Sequence, residues 1–126
     1  MHITKGSLLN NGSISATTIE TYETNISGNG TFKSDIFLNN GTINPGEANH
    51  KIGTLTFNSN LINNGKIEID VETSGNSDLI TADKLTIGGK LLFNPTSNFY
   101  TANMSFNFLR FSLKGGSEFT LSLIHI

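Results

Sequence analysis

The chain repeats itself around a glycine. Phe37-Leu-Asn-Asn-Gly41-Thr-Ile43 aligns with Leu61-Ile-Asn-Asn-Gly65-Lys-Ile67 and with Leu85-Thr-Ile-Gly-Gly89-Lys-Leu91, so successive glycines stand 24 residues apart. An apolar residue lies four positions before and two after each of them. A period of this size marks one supersecondary unit stacked on itself, because a single unit cannot bury its apolar face alone.

Gly53, in Ile52-Gly-Thr-Leu55-Thr-Phe57, falls midway between Gly41 and Gly65. Each coil then has at least two corners, and Asn and Gly tolerate the positive φ that corners ask for. The expected turn residues are Gly41, Gly53, Gly65 and Gly89 with Asn39, Asn40, Asn63 and Asn64. Between corners the residues alternate as strands do. In Lys66-Ile-Glu-Ile-Asp-Val-Glu72, the side chains of Ile67, Ile69 and Val71 point inward, and Lys66, Glu68, Asp70 and Glu72 are expected on a solvated outer face.

At the 24-residue offset Ile43 stacks on Ile67 and Leu91, Phe37 on Leu61 and Leu85, and Pro45 on Ile69 and Phe93. Asn39 over Asn63, and Asn40 over Asn64, would form amide ladders along a corner. This is the pattern of a parallel β-helix, an all-β solenoid of about five coils with neighbouring strands ~4.8 Å apart. The competing fold is an antiparallel meander or sandwich, whose hairpins also favour Asn-Gly. A meander, however, gives no reason for matching corners at a fixed long period.

The first unit, Asn10-Asn-Gly12-Ser-Ile14, is followed by Gly-Asn-Gly30-Thr-Phe32 at an interval of 18, so residues 1–36 read as less regular coils. Residues 37–93 are the regular coils, and 94–120 a terminal, capping coil rich in aromatics with a further corner at Gly115-Gly116. Residues 121–126 read as a truncated or foreign tail, all within one domain.

Composition narrows the function. Charged residues are only 14% of the chain and the net charge is −2, which leaves no basic face to neutralise phosphates, so no nucleic acid is expected as a partner. The absence of cysteine excludes disulfides and Cys-based zinc or thiolate chemistry. No apolar run approaches the ~20 residues of a membrane helix, so this segment is not expected to insert in a membrane, and the start lacks the pattern of a signal peptide. Because the repeat is already under way at the start, an internal piece of a longer protein is expected.

Gly41-Thr-Ile-Asn-Pro-Gly46 followed by Lys51-Ile-Gly-Thr-Leu-Thr-Phe57 resembles the passenger domains of autotransporters, the self-exporting surface proteins of Gram-negative bacteria. The likeness continues through Lys66 to Glu72, Ser77-Asp78-Leu-Ile and Leu85 to Leu91, and it extends over residues 37–113. The resemblance implies a right-handed β-helix, near the carboxy-terminal end of a passenger, that acts as a non-catalytic stalk and folding nucleus of an adhesin or virulence factor. It implies as partners the rest of the parent passenger, a downstream outer-membrane β-barrel and host surface molecules. It places the protein at the cell surface, exported through the periplasm and outer membrane. No catalytic, cofactor-binding or metal-ligating residue is expected on this reading.

The alternative is a carbohydrate-active β-helix enzyme, which would need acids lined up on an outer face. Glu68, Asp70 and Glu72 share such a face, but the stacked register brings no second carboxylate from a neighbouring coil to them. A Ser-His-Asp arrangement would have to use His50, in the polar loop Glu47-Ala-Asn-His50. Gly75-Asn-Ser77-Asp78 reads instead as a turn in which Ser77 or Asp78 bonds local backbone amides.

Overall fold

The computed structural model describes residues 1–47, 51–72, 76–95, 106–112 and 118–123. The chain is all-β: β1 (His2–Leu9), β2 (Ser13–Ser15), β3 (Thr18–Ser27), β4 (Thr31–Ile43), β5 (Thr54–Asn63), β6 (Lys66–Val71), β7 (Leu79–Ile87), β8 (Lys90–Pro95), β9 (Phe106–Ser112) and β10 (Glu118–Leu123). The ladder runs β1-β3-β4-β5-β7-β9-β10, with β2 on β4 and β6 joining β4 to β8. Every pairing between strands is parallel except that of β9 with β10. The antiparallel meander is thereby excluded.

Register explains the sequence period. Leu8, Ile26, Ile43, Ile67 and Leu91 form one column of in-register residues. Ile19, Phe37, Leu61 and Leu85 form a second, and Ile14, Phe32, Phe57 and Ala82 a third. The middle members of each column are fully buried, whereas Leu8, Ile14, Leu85 and Leu91 pack against the core from its ends. Each fully buried Ile, Leu or Phe contributes roughly 1.5–3 kcal/mol. Phe32, Phe37 and Phe57 also meet one another, with ring centroids 4.9–5.3 Å apart.

Ile69 is buried and in register with Phe93. The expected continuation to Pro45 is absent from the ladder, because β4 and β6 pair only at Thr42–Lys66 and Ile43–Ile67. Beyond Ile43 the chain instead turns back, through a bridge between Gly28 and Gly46. The expected corner at Gly115-Gly116 lies outside the described residues, and β10 runs across the expected boundary at 120.

Candidate functional site

The glycine corners form a column, for a reason other than the one expected. Gly41, Gly65 and Gly89 do not have positive φ. A Cβ on Gly89 would overlap the Gly65 carbonyl oxygen, one on Gly65 that of Gly41, and one on Gly41 that of Thr24. Close approach of the neighbouring backbone therefore requires glycine there. Gly53 is similarly enclosed by Gly46 and the Asn29 side chain.

The amide ladder forms at the inner of the two asparagine positions. Asn39 donates from Nδ2 to Asn63 Oδ1 at 2.8 Å and accepts at Oδ1 from Thr21 Oγ1 at 2.8 Å and from the Gly41 amide at 3.1 Å. All three side chains of this polar column are buried. Asn40 is half-buried and Asn64 exposed, and no hydrogen bond joins their side chains, so the outer ladder is absent. Asn11 and Asn29 serve a different corner: Asn11 Oδ1 accepts from the Asn29 amide, and Asn29 Oδ1 accepts from that of Thr54.

The outer face of β6 departs from the expected alternation. Lys66 and Glu68 pair at 2.8 Å, and Glu68 accepts from Asn94 at 3.3 Å. Asp70, expected in solvent, is only 1% exposed, and Asp78 is fully buried beside it. A second carboxylate is thus present, supplied by the chain eight residues further on. The chain folds back after β6, with Val71 bridging Ser77 antiparallel and the Asp78 amide donating to the Asp70 carbonyl at 2.9 Å. Asp78 does bond backbone amides, as expected: Oδ1 accepts from Gly53 at 2.9 Å and Oδ2 from Asp70 at 2.8 Å. Ser77 instead donates to the Asp78 carbonyl. Burial, above all, raises the Asp78 carboxyl to about 7, aided by the Asp70 charge and opposed by the two amides. This dyad is sealed from solvent, so it cannot touch a substrate.

A surface hollow of about 630 Å³ lies where the strands bend. Its lining includes Lys33, Ser34 and Asp35 of β4, Asn58 of β5 and Asp83 of β7. The register slips there, between Lys33 and Ile36 on one side and Phe57 and Asn60 on the other. The hydroxyls of Ser34 and Ser59 are buried without a partner. A strict 24-residue overlay hides this bend, because pairing is offset by 25 before it, as in Phe32–Phe57, and by 24 after it, as in Phe37–Leu61.

His50, the one histidine considered for catalysis, lies outside the described residues. His2 sits on the surface, 3.2 Å from Glu20 and stacked on Tyr22. Among the described residues no group of three or more His, Cys, Asp or Glu could hold a metal ion, and no helix is long and apolar enough to cross a membrane. Comparison with protein-family models, curated proteins and solved structures gives no match.

Proposed function

We propose that the chain is a segment of a right-handed parallel β-helix of about five coils, belonging to the passenger domain of an autotransporter. On this reading it is a non-catalytic stalk and folding nucleus of a surface-displayed adhesin or virulence factor. Its partners are the rest of its own passenger, an outer-membrane β-barrel and host surface molecules. The observation that carries the reading is the continuous column Ile26, Ile43, Ile67 and Leu91 beside the glycine column. Such a stack grows by adding coils, which suits a stalk, and the sequence likeness over residues 37–113 supplies the family. The test places the chain between an export signal and an outer-membrane barrel, and measures the protease resistance of the displayed segment. Resistance that is lost in Gly65→Val but kept in Gly12→Ala supports the stalk. Failure of the wild-type chain to become resistant at the surface contradicts it.

A second reading, a carbohydrate-active enzyme, draws on the hollow at the bend. Asp35 and Asp83 there lie about two strand spacings apart, roughly 10 Å, near the upper limit for the acid pair of an inverting glycosidase. Cleavage of a polysaccharide by the wild-type chain, abolished in both Asp35→Asn and Asp83→Asn, would favour it over the stalk.

A further inference from the structure

An asparagine followed by glycine can modify itself, and the sequence has four such steps: Asn11-Gly12, Asn29-Gly30, Asn40-Gly41 and Asn64-Gly65. In each, the glycine nitrogen can attack Cγ of the asparagine before it. The N–Cγ bond forms, the Cγ–Nδ2 bond breaks, and ammonia leaves with the proton of the glycine amide. Water then opens the cyclic imide to aspartate or isoaspartate. Glycine is the most permissive follower, because it has no Cβ to obstruct the ring. At Gly30, Gly41 and Gly65 the fold cannot exchange it, since a Cβ there would overlap the backbone oxygens of Gly12, Thr24 and Gly41 respectively.

All four attacking amides are held, and two asparagines hold them. Asn10 accepts the Gly12 amide at Oδ1, at 3.0 Å, and the Gly30 amide at its backbone carbonyl, at 2.8 Å. Asn39 repeats the arrangement, with the Gly41 amide on Oδ1 at 3.1 Å and the Gly65 amide on its carbonyl at 3.0 Å. Each is the first residue of an Asn-Asn-Gly run, and both are buried. Their own side-chain amides are anchored, Asn10 Nδ2 to the Thr31 carbonyl at 3.0 Å and Asn39 Nδ2 to Asn63 Oδ1 at 2.8 Å. That anchoring fixes which end of each side chain faces the glycine. A glycine nitrogen must give up its proton to cyclise, and a hydrogen bond to a fixed acceptor holds both that proton and the backbone in place.

We propose that Asn10 and Asn39 guard the four Asn-Gly steps against succinimide formation, each with its side chain for its own motif and with its carbonyl for the glycine of a later turn. Asn11 and Asn40 are then latent deamidation sites, opened by loss of the guarding side chain. Isoaspartate adds a methylene to the backbone at the corner and throws the following strand out of register, and aspartate adds a charge. The unfolded chain has no guard, so all four sites react until it folds. The proposal rests on the corner geometry and stands whether or not the chain is a passenger segment.

The experiment incubates the whole chain at neutral pH, folded and in urea, and follows amide-to-acid conversion at each of the four asparagines by peptide mass spectrometry. It compares the wild type with Asn10→Ala and Asn39→Ala, and each folded rate is divided by the rate of the same protein in urea. In the wild type all four ratios should lie well below one. In Asn10→Ala the ratio at Asn11 should rise roughly two- to tenfold, the weight of one hydrogen bond. The ratio at Asn29 should not change, because the carbonyl of residue 10 is still there. Asn39→Ala should raise the ratio at Asn40 and leave that at Asn64. Folded wild-type rates equal to those in urea, or a variant in which both members of a pair accelerate alike or neither does, would overturn the guard. If Asn39→Ala does not fold, the comparison of Asn11 with Asn29 in Asn10→Ala decides alone.

Discussion

Asn39 and Asn63, 24 residues apart, are joined side chain to side chain at 2.8 Å inside the core. The run of amides ends at Asn63, which is in register with Ile87, and Asn63 Nδ2 is buried without a partner. An unmet buried donor costs about 1–3 kcal/mol. Ile87→Asn should therefore stabilise the chain by about 1 kcal/mol. Asn39→Leu, which strands Thr21 Oγ1, Asn63 Oδ1 and the Gly41 amide, should destabilise it by about 3 kcal/mol or more. The urea unfolding midpoints of both variants check this.

Gly65→Ala and Gly12→Ala separate the two uses of glycine. At Gly65 a Cβ would strike the Gly41 carbonyl, whereas at Gly12 nothing lies within 4 Å. Forcing an atom into packed backbone costs about 1–3 kcal/mol, and the open site should change stability by less than about 0.5 kcal/mol. Thermal melts of the two variants, run together, give the contrast.

Between β1 and β3 the bend is made without glycine at the bend itself. Lys5 and Glu23 have φ of 60° and 52°, and the flanking pairs Thr4–Tyr22 and Gly6–Thr24 place them opposite each other. A left-handed conformation costs an ordinary residue roughly 1–2 kcal/mol, and asparagine bears it better. Since Glu23 is exposed, Glu23→Asn should raise stability by about 0.5–1 kcal/mol, read from its denaturation midpoint.

These particulars show where sequence was informative. The stacking of Ile43, Ile67 and Leu91 was legible because side chains that share a register must share a chemistry, and the glycines mark that register. The burial of Asp70 was not, since alternation along a strand carries no information about a fold-back that brings a residue eight positions later against it. Nor was the hollow beside Lys33 and Asp83, which arises from a single-residue slip that a fixed period averages away. The corner glycines were recognised, but positive φ was the wrong physical reason, because contact with the backbone of the neighbouring strand is a tertiary fact.

On β6 two adjacent positions should differ sharply. Ile69→Asp places a carboxylate in the fully buried column and should cost several kcal/mol, a large share of a typical 5–15 kcal/mol stability. Glu68→Ala gives up a surface ion pair and a contact with Asn94, worth about 1 kcal/mol or less. Replacing Glu68, Asp70 and Glu72 together is not expected to be neutral, because Asp70 is buried. Limited proteolysis of the three variants should rank them with Glu68→Ala the most resistant.

The stacked register itself is tested most directly by a disulfide, in a chain that has no cysteine of its own. Lys66 and Lys90 are Cα partners on adjacent parallel strands, and Lys66 and Leu92 are two residues out of step. Neighbouring strands lie ~4.8 Å apart, within the span a disulfide accepts, whereas a two-residue slip carries the Cα atoms to roughly 8 Å. Under mild oxidation the Lys66→Cys, Lys90→Cys protein should cross-link nearly completely within the monomer, and Lys66→Cys, Leu92→Cys should not. Equal cross-linking of the two pairs, or a preference for the second, would contradict the stack on which the fold and the proposed stalk both rest.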